Sequence, residues 1–489
     1  MEGIKMKTNS QQSLKRGLKN RHLQMIALGG AIGTGLFYGS ASTIQLAGPA
    51  ISLSYLIGGC VIFFIMRMLG EMAVDNPVSG SFSSYANTYW HEFVGFLSGW
   101  NYWMNYVIVS MVELTAVGIY INYWLPDVPQ WLSALICLII ITVINLINVK
   151  LYGEFEFCTA IIKVVAICCM IIFGIYIICT DMGTFPENLS NLWSHGGYLP
   201  NGWWGLALSL VVVMFSFGGI ELIGITAGEA DEPQKSIPKA INQVIWRILI
   251  FYIGTLVVLM ILYPWNEVGL EASPFVQIFS NIGIPAAANL LNIVVLTAAI
   301  SVYNSAIYSN SRMLYGLASQ GNAPKILTAL TRNGVPMVGI FISSGITLIA
   351  VVLNYLFPGK VFMYLVSIAV AAVLVSWFII IVTHLKFRKA KARLGQDKDL
   401  HFKSIGYPII NYLCIVFLIF IAFMMYQISD TRNALYILPL WIIILAIGYM
   451  LKKKNKYKNR NININRNKEY RIYLYSFYLN SNFKLTPTS

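Results

Sequence analysis

Charge is what this sequence has least of. Asp, Glu, Lys and Arg together make up 11% of its 489 residues, whereas 57% are hydrophobic. Soluble domains carry roughly 25% charged residues to cover a water-facing surface, so a soluble enzyme, a disordered scaffold and a fibrous repeat are excluded. Metal and disulfide chemistry lack their patterns as well. All seven cysteines fall in apolar stretches and none forms CxxC or a metal spacing, so they read as small buried apolar residues. His91-Glu92 opens like a zinc motif but lacks the second His. No nucleophile elbow GxSxG is present, and no pair of Asp occupies the apolar runs. An intramembrane enzyme is therefore not expected. The polar, basic N-terminus shows no short apolar core with a cleavage site, so the first apolar run is expected to serve as the insertion signal.

What remains is apolar sequence in long runs. Stretches of about 20 residues can cross a bilayer as helices. They occur at 23–45, 48–74, 94–123, 131–148, 157–179, 203–228, 240–264, 284–312, 337–357, 361–385, 407–428 and 434–451. The expectation is an all-α polytopic membrane protein with twelve transmembrane helices and both termini on one side. If that side is the cytoplasm, 32 of the 34 basic residues face it, leaving only Lys360 and Arg432 outside. The net charge of +14 then reflects the positive-inside rule, and no nucleic-acid partner is expected.

Two runs differ from the rest. The first contains Gly29-Gly30-Ala31-Ile32-Gly33-Thr34-Gly35, and the sixth contains Ser216-Phe217-Gly218-Gly219-Ile220-Glu221. Each glycine weakens a helix by about 1 kcal/mol relative to alanine, and unwound backbone in hydrocarbon is tolerated only inside protein or along a wet cavity. Glycine-interrupted segments at matching places in two halves point to an inverted-repeat transporter. The alternative is close helix packing through a GxxxG-like pattern. A nucleotide-binding loop is ruled out, because no strand precedes the first cluster and no P-loop lysine follows it.

The expected organisation is a 5+5 inverted repeat with broken helices 1 and 6 plus two C-terminal helices. By residue it comprises a basic N-tail (1–22), a first repeat (23–179), an outer loop (180–202) and a second repeat (203–385). A cytoplasmic loop (386–406), helices 11 and 12 (407–451) and a basic low-complexity tail (452–489) follow.

A broken helix offers free N–H groups at the start of its second half, suited to a carboxylate, and free carbonyls at the end of its first, suited to an ammonium. One α-amino acid satisfies both. Thr34, between Gly33 and Gly35, adds a hydroxyl, while Ser216 and the backbone at Gly218 and Gly219 suit the amine. Tyr106, Phe215, Phe217 and Tyr303 are candidates to line a side-chain pocket. Charged residues within spans are functional candidates by default: Glu113, Glu221 and Lys163. A buried lysine is costly to keep charged, so Lys163 suits proton loading and release, unless it snorkels to the interface. Glu113 and Glu221 are alternatively structural, bonded to unwound backbone. Arg67, Glu71 and Asp75 close the second span, and Glu229, Asp231, Glu232, Lys235 and Lys239 follow the sixth, as interfacial anchors or a gate.

The stretches GGAIGTGLF (29–37) and AGPAISLSYLIGGCVIFFIMRMLGEMAVDNPVSGSF (47–82) resemble the signature of the amino acid–polyamine–organocation superfamily. FSFGGIELIGITAGEADEPQKSIPKAINQV (215–244) and SVYNSAIYSNSRMLYGLASQGNAPK (301–325) resemble its bacterial amino acid transporter family. GWNYW (99–103), ELTAVG (113–118) and YPWNEV (263–268) are similar to aromatic amino acid permeases. The resemblance implies proton-coupled uptake of phenylalanine, tyrosine and tryptophan across the inner membrane by alternating access, with the proton as coupling ion and no cofactor. It maps the amino acid backbone onto Ile32, Gly33, Thr34 and Gly35 and onto Phe215 to Ile220. In some members a fifth-helix lysine replaces a sodium ion, a role that falls on Lys163. Alternatives are another amino acid such as proline, exchange instead of symport, and a non-transporting amino acid receptor. Oligomeric state is not set by the sequence.

Overall fold

The structure is a computed structural model and describes residues 32–78, 80–147, 149–180, 188–226, 232–270, 272–357 and 361–454. Gly29 to Ala31 of the first cluster, Glu229 and Asp231, and both tails before residue 32 and after 454 lie outside those residues.

Among the described residues every regular element is helical. In chain order they are α1 (Thr34–Phe37), α2 (Ser40–Ala47), α3 (Ile51–Asp75), α4 (Ser81–Tyr89), α5 (Glu92–Asn122), α6 (Gln130–Ile147), α7 (Val149–Thr180) and α8 (Gly202–Ser216). Then come α9 (Leu222–Thr226), α10 (Pro233–Arg247), α11 (Thr255–Leu262), α12 (Pro274–Asn281), α13 (Pro285–Ser319), α14 (Met337–Leu356), α15 (Val361–Arg393) and α16 (Ile409–Gln427). A π-helical stretch, Ile248–Gly254, joins α10 to α11 as one span. A last apolar helix covers Ser429–Lys454. Two compact units divide the chain, Met1–Pro439 and Leu440–Ser489. The first contains the hydrophobic core and the site considered below.

Ten described helices are long and apolar enough to cross a membrane, against twelve expected runs. The difference falls on the two glycine-rich runs. The first is interrupted at Tyr38 and Gly39 between α1 and α2, and α2 runs through the 3-10 turn Gly48–Ala50 into α3. The sixth stops at Ser216 after 15 residues. In both, glycine forfeits the helical bias that the aliphatic runs elsewhere enjoy.

The long helices divide by what they face. In α15 78% of the most apolar window is buried, whereas in the span Tyr152–Thr180 only 28% is. Ile172, Val165 and Ile175 on α7, and Leu413, Val416 and Ile419 on α16, present their side chains outward. Exposed aliphatic surface this continuous is stable only against hydrocarbon. The chain is a multi-pass membrane protein, with α5, α13 and α15 at its centre.

Candidate functional site

The two glycine-rich segments meet. Gly33 is extended (φ −136°, ψ −156°) just before α1, and its carbonyl accepts from Leu36 and Phe37 at 3.2 and 3.3 Å. At the end of α8 the chain passes through turns from Phe217 to Glu221, with Gly219 at φ +98°, before resuming as α9. A Cβ added to Gly35 would lie 2.7 Å from Ser216 Cα, so the backbones touch here and only glycine permits it. Tyr55 and Tyr252 hold the second break from outside. Tyr55 Oη lies 2.9 Å from Ser216 Oγ, and the Tyr252 hydroxyl donates to the Ser216 carbonyl at 3.2 Å.

Beside the breaks lies a small cavity of about 40 Å³. Gly33 and Gly35 line it from the first break, and Phe215, Ser216, Gly218, Gly219 and Leu222 from the second. α5 contributes Asn105, Tyr106, Val109 and Glu113, α13 contributes Val302 and Ser305, and α15 contributes Ala369 and Val373. The 105, 109, 113 spacing puts three of these side chains on one stripe of α5. The wall is thus apolar, with a few convergent polar groups.

Two carboxylates stabilise the breaks. Glu113, 2% exposed, accepts the Thr34 hydroxyl at 3.0 Å across the start of α1. Glu221, fully buried, accepts the Gly219 N–H at 3.2 Å, with the Tyr102 hydroxyl and Trp377 indole beside it. Each supplies a hydrogen bond that the interrupted helix does not.

Lys163 is fully buried, which sets aside the snorkelling alternative. Its Nζ donates to Ser301 Oγ at 2.9 Å and stands 3.9 Å from Glu156 Oε1, two turns earlier on α7. The Ser301 hydroxyl donates in turn to Glu156 at 2.8 Å. One turn further along α13, Ser305 lies 3.1 Å from the Tyr152 hydroxyl and also faces the cavity. A buried ion pair is therefore joined to the cavity wall through one face of α13.

Comparison with known proteins identifies the family. The family model described as "Amino acid permease" matches residues 22–462. The chain belongs to the amino acid permease family. The permease is 53% identical over 443 residues to the aromatic amino acid transport protein AroP of Escherichia coli (strain K12), covering 91% of this chain and 96% of that one. AroP of Salmonella typhi matches equally, at 53% over the same shares. The amino-acid permease AapA of Bacillus subtilis (strain 168) is 50% identical over 446 residues, covering 91% and 96%.

Within the permease, the structure gathers Gly33, Gly35, Phe215, Ser216, Gly218, Gly219, Tyr106 and Glu113 around the cavity. Ile32, Thr34, Ile220 and Glu221 are buried behind that wall. Phe217 packs between Tyr55 and Tyr252, at 5.8 and 5.3 Å between centroids. Tyr303 is buried and its neighbour Val302 faces the cavity instead, since one residue turns a helix by about 100°. Sequence reasoning overlooked Asn105, Ser305, Ala369, Val373 and Glu156. The four-residue spacing of Asn105, Val109 and Glu113 was the available signal for the first. Glu156 was legible as a charge seven residues before Lys163. Ala369 and Val373 had no signal, because small apolar residues in a span look alike whether they face lipid, protein or substrate.

Proposed function

We propose that this permease is a proton-coupled importer of aromatic L-amino acids, phenylalanine, tyrosine and tryptophan, acting by alternating access. The observation that carries the reading is the cavity between the two breaks, with peptide groups on one side and apolar walls on the other. In this reading the amino acid head engages the backbone at Ile32, Gly33, Thr34 and Gly35 and from Phe215 to Ile220. The ring lies against Tyr106, Val302, Ala369 and Val373, where burial of apolar surface contributes about 25 cal/mol per Å2. That the AroP relatives are aromatic amino acid transport proteins supports the aromatic choice.

The coupling ion is the proton, exchanged at Lys163 within its contacts to Glu156 and Ser301. Glu113 and Glu221 hold the breaks and change partners as the cavity opens to each side. The fold is read as twelve spans in a 5+5 inverted repeat, 23–179 and 203–385, followed by two further helices. The membrane is read as the inner membrane, with both termini in the cytoplasm, as the asymmetry of Lys and Arg supports.

The test is uptake of labelled phenylalanine into proteoliposomes under an inward proton gradient. Accumulation above equilibrium that collapses with a protonophore and ignores sodium is expected. Uptake that requires internal amino acid means exchange. Competition by proline but not by tryptophan overturns the aromatic assignment, and binding without accumulation means a receptor.

A further inference from the structure

We propose that Asn105 determines specificity within the cavity, its side-chain amide accepting a hydrogen bond from the substrate's ring: the phenol O–H of tyrosine or the indole N–H of tryptophan. This rests on reading the cavity as an aromatic amino acid site, and it ranks the three substrates. Tyrosine and tryptophan are preferred over phenylalanine.

Asn105 lines the cavity and is 2% exposed, yet its Oδ1 has no hydrogen-bond partner among the described residues. Buried amide oxygens are nearly always paired. One turn earlier on the same stripe of α5, Asn101 Oδ1 likewise has no partner, but there the amide nitrogen is engaged. Asn101 Nδ2 donates to the Ala372 carbonyl at 2.8 Å and to Ser376 Oγ at 3.0 Å, tying α5 to α15. At Asn105 the α15 residues on the cavity wall are Ala369 and Val373, which have no polar side chain to offer. Asn101 holds two helices together, whereas the Asn105 amide belongs to the cavity.

Position decides which part of the substrate it meets. Glu113, beside Thr34 at the first break, lies eight residues along the same helix, about 12 Å of axial rise. Groups suited to an ammonium and a carboxylate gather at that end, with the glycines and Ser216. An amino acid held there by its head and lying along the α5 stripe directs its ring toward Asn105. Tyrosine and tryptophan each carry one donor on the ring. Phenylalanine has none and leaves the amide oxygen buried without a partner, a cost that discriminates against it.

The test measures uptake of labelled phenylalanine, tyrosine and tryptophan by the full-length chain in proteoliposomes, for the wild type, Asn105→Leu and Asn105→Ser. The wild type is expected to show lower KM for tyrosine and tryptophan than for phenylalanine. Asn105→Leu, nearly isosteric but apolar, should raise KM for tyrosine and tryptophan about tenfold while lowering it for phenylalanine, inverting the ranking. If the leucine protein does not fold, Asn105→Ser is read by the same ratio, with its hydroxyl retaining part of the preference. An equal change for all three substrates assigns the amide to the head group or to packing and overturns the proposal. An unaltered ranking overturns it too. A wild type that carries none of the three removes the aromatic reading itself, a result visible before any variant is made.

Discussion

At the scale of single residues, glycine contacts separate positions that serve the site from those that only tolerate glycine. A methyl group at Gly35 meets backbone, Ser216 Cα at 2.7 Å, which cannot rotate aside. Gly35→Ala is expected to push the two breaks apart, cost about 1–3 kcal/mol and abolish uptake, read by thermal unfolding in detergent together with transport. At Gly345, inside α14, an added Cβ meets nothing within 4 Å. Gly345→Ala should leave uptake intact and add up to about 1 kcal/mol through helix propensity. If both variants behave alike, the close approach is not what matters at Gly35. For Lys163 the expectation is a split: Lys163→Ala loses proton-driven accumulation but still binds labelled substrate. Retained accumulation with an unaltered pH profile rules out the coupling role. The glycines and Lys163 were legible in the sequence because their types are anomalous in an apolar span. Their partners Ser301 and Glu113 were harder to assign, since each comes from a different helix and is chosen by packing.

Between elements, one of the charges closing the second span, Glu71, is bound inward. Glu71 on α3 is fully buried, 2.8 Å from His384 Nε2 and 2.9 Å from Arg388 Nη1, both on α15. It also accepts the Ser404 N–H at 2.7 Å, and His384 Nδ1 lies 3.0 Å from Asn411 Nδ2 on α16. Lys391 reaches Asp75 at 2.9 Å. One carboxylate thus joins α3, α15 and the segment leading to α16. Removing one partner leaves the others buried and unmatched, so Glu71→Ala should cost about 3–5 kcal/mol. In the Glu71→Ala background, Arg388→Ala should cost clearly less than it does alone. Additive costs in that double-mutant cycle mean the contact carries no coupling. Some aliphatic spans were readable to within about two residues, as at 131–148 against α6 and 337–357 against α14. By contrast, α7 begins eight residues before its expected run and α15 ends eight residues after its own, because a helix can continue beyond its apolar stretch. Helices α1, α2 and α9 were not readable, since glycine leaves the helix end to tertiary contacts.

For the whole molecule, the central question is whether both interrupted segments cross the bilayer, and parity of crossings answers it. The ten unbroken spans alone are an even number, so same-side termini follow with or without the two broken ones. Reporters inside the chain discriminate. Three crossings precede the exposed loop at Asp127 if the first broken segment spans, and two if it does not. Eight precede Ala329, after α13, if both span. Asp127 should therefore face away from the N-terminus and Ala329 toward it. In the reading proposed above the termini are cytoplasmic, which the asymmetry of Lys and Arg supports. Alkaline phosphatase inserted at Asp127 is expected to be active, while the same enzyme at Ala329 or fused to the C-terminus is silent. A fluorescent-protein fusion at those two sites should show the reverse. Phosphatase silent at Asp127 means the first broken segment does not cross, and the cavity beside it cannot lie midway through the bilayer. Phosphatase active at both Ala329 and the C-terminus removes the sixth crossing instead. Either result breaks the pairing of interrupted helices on which transport by alternating access depends.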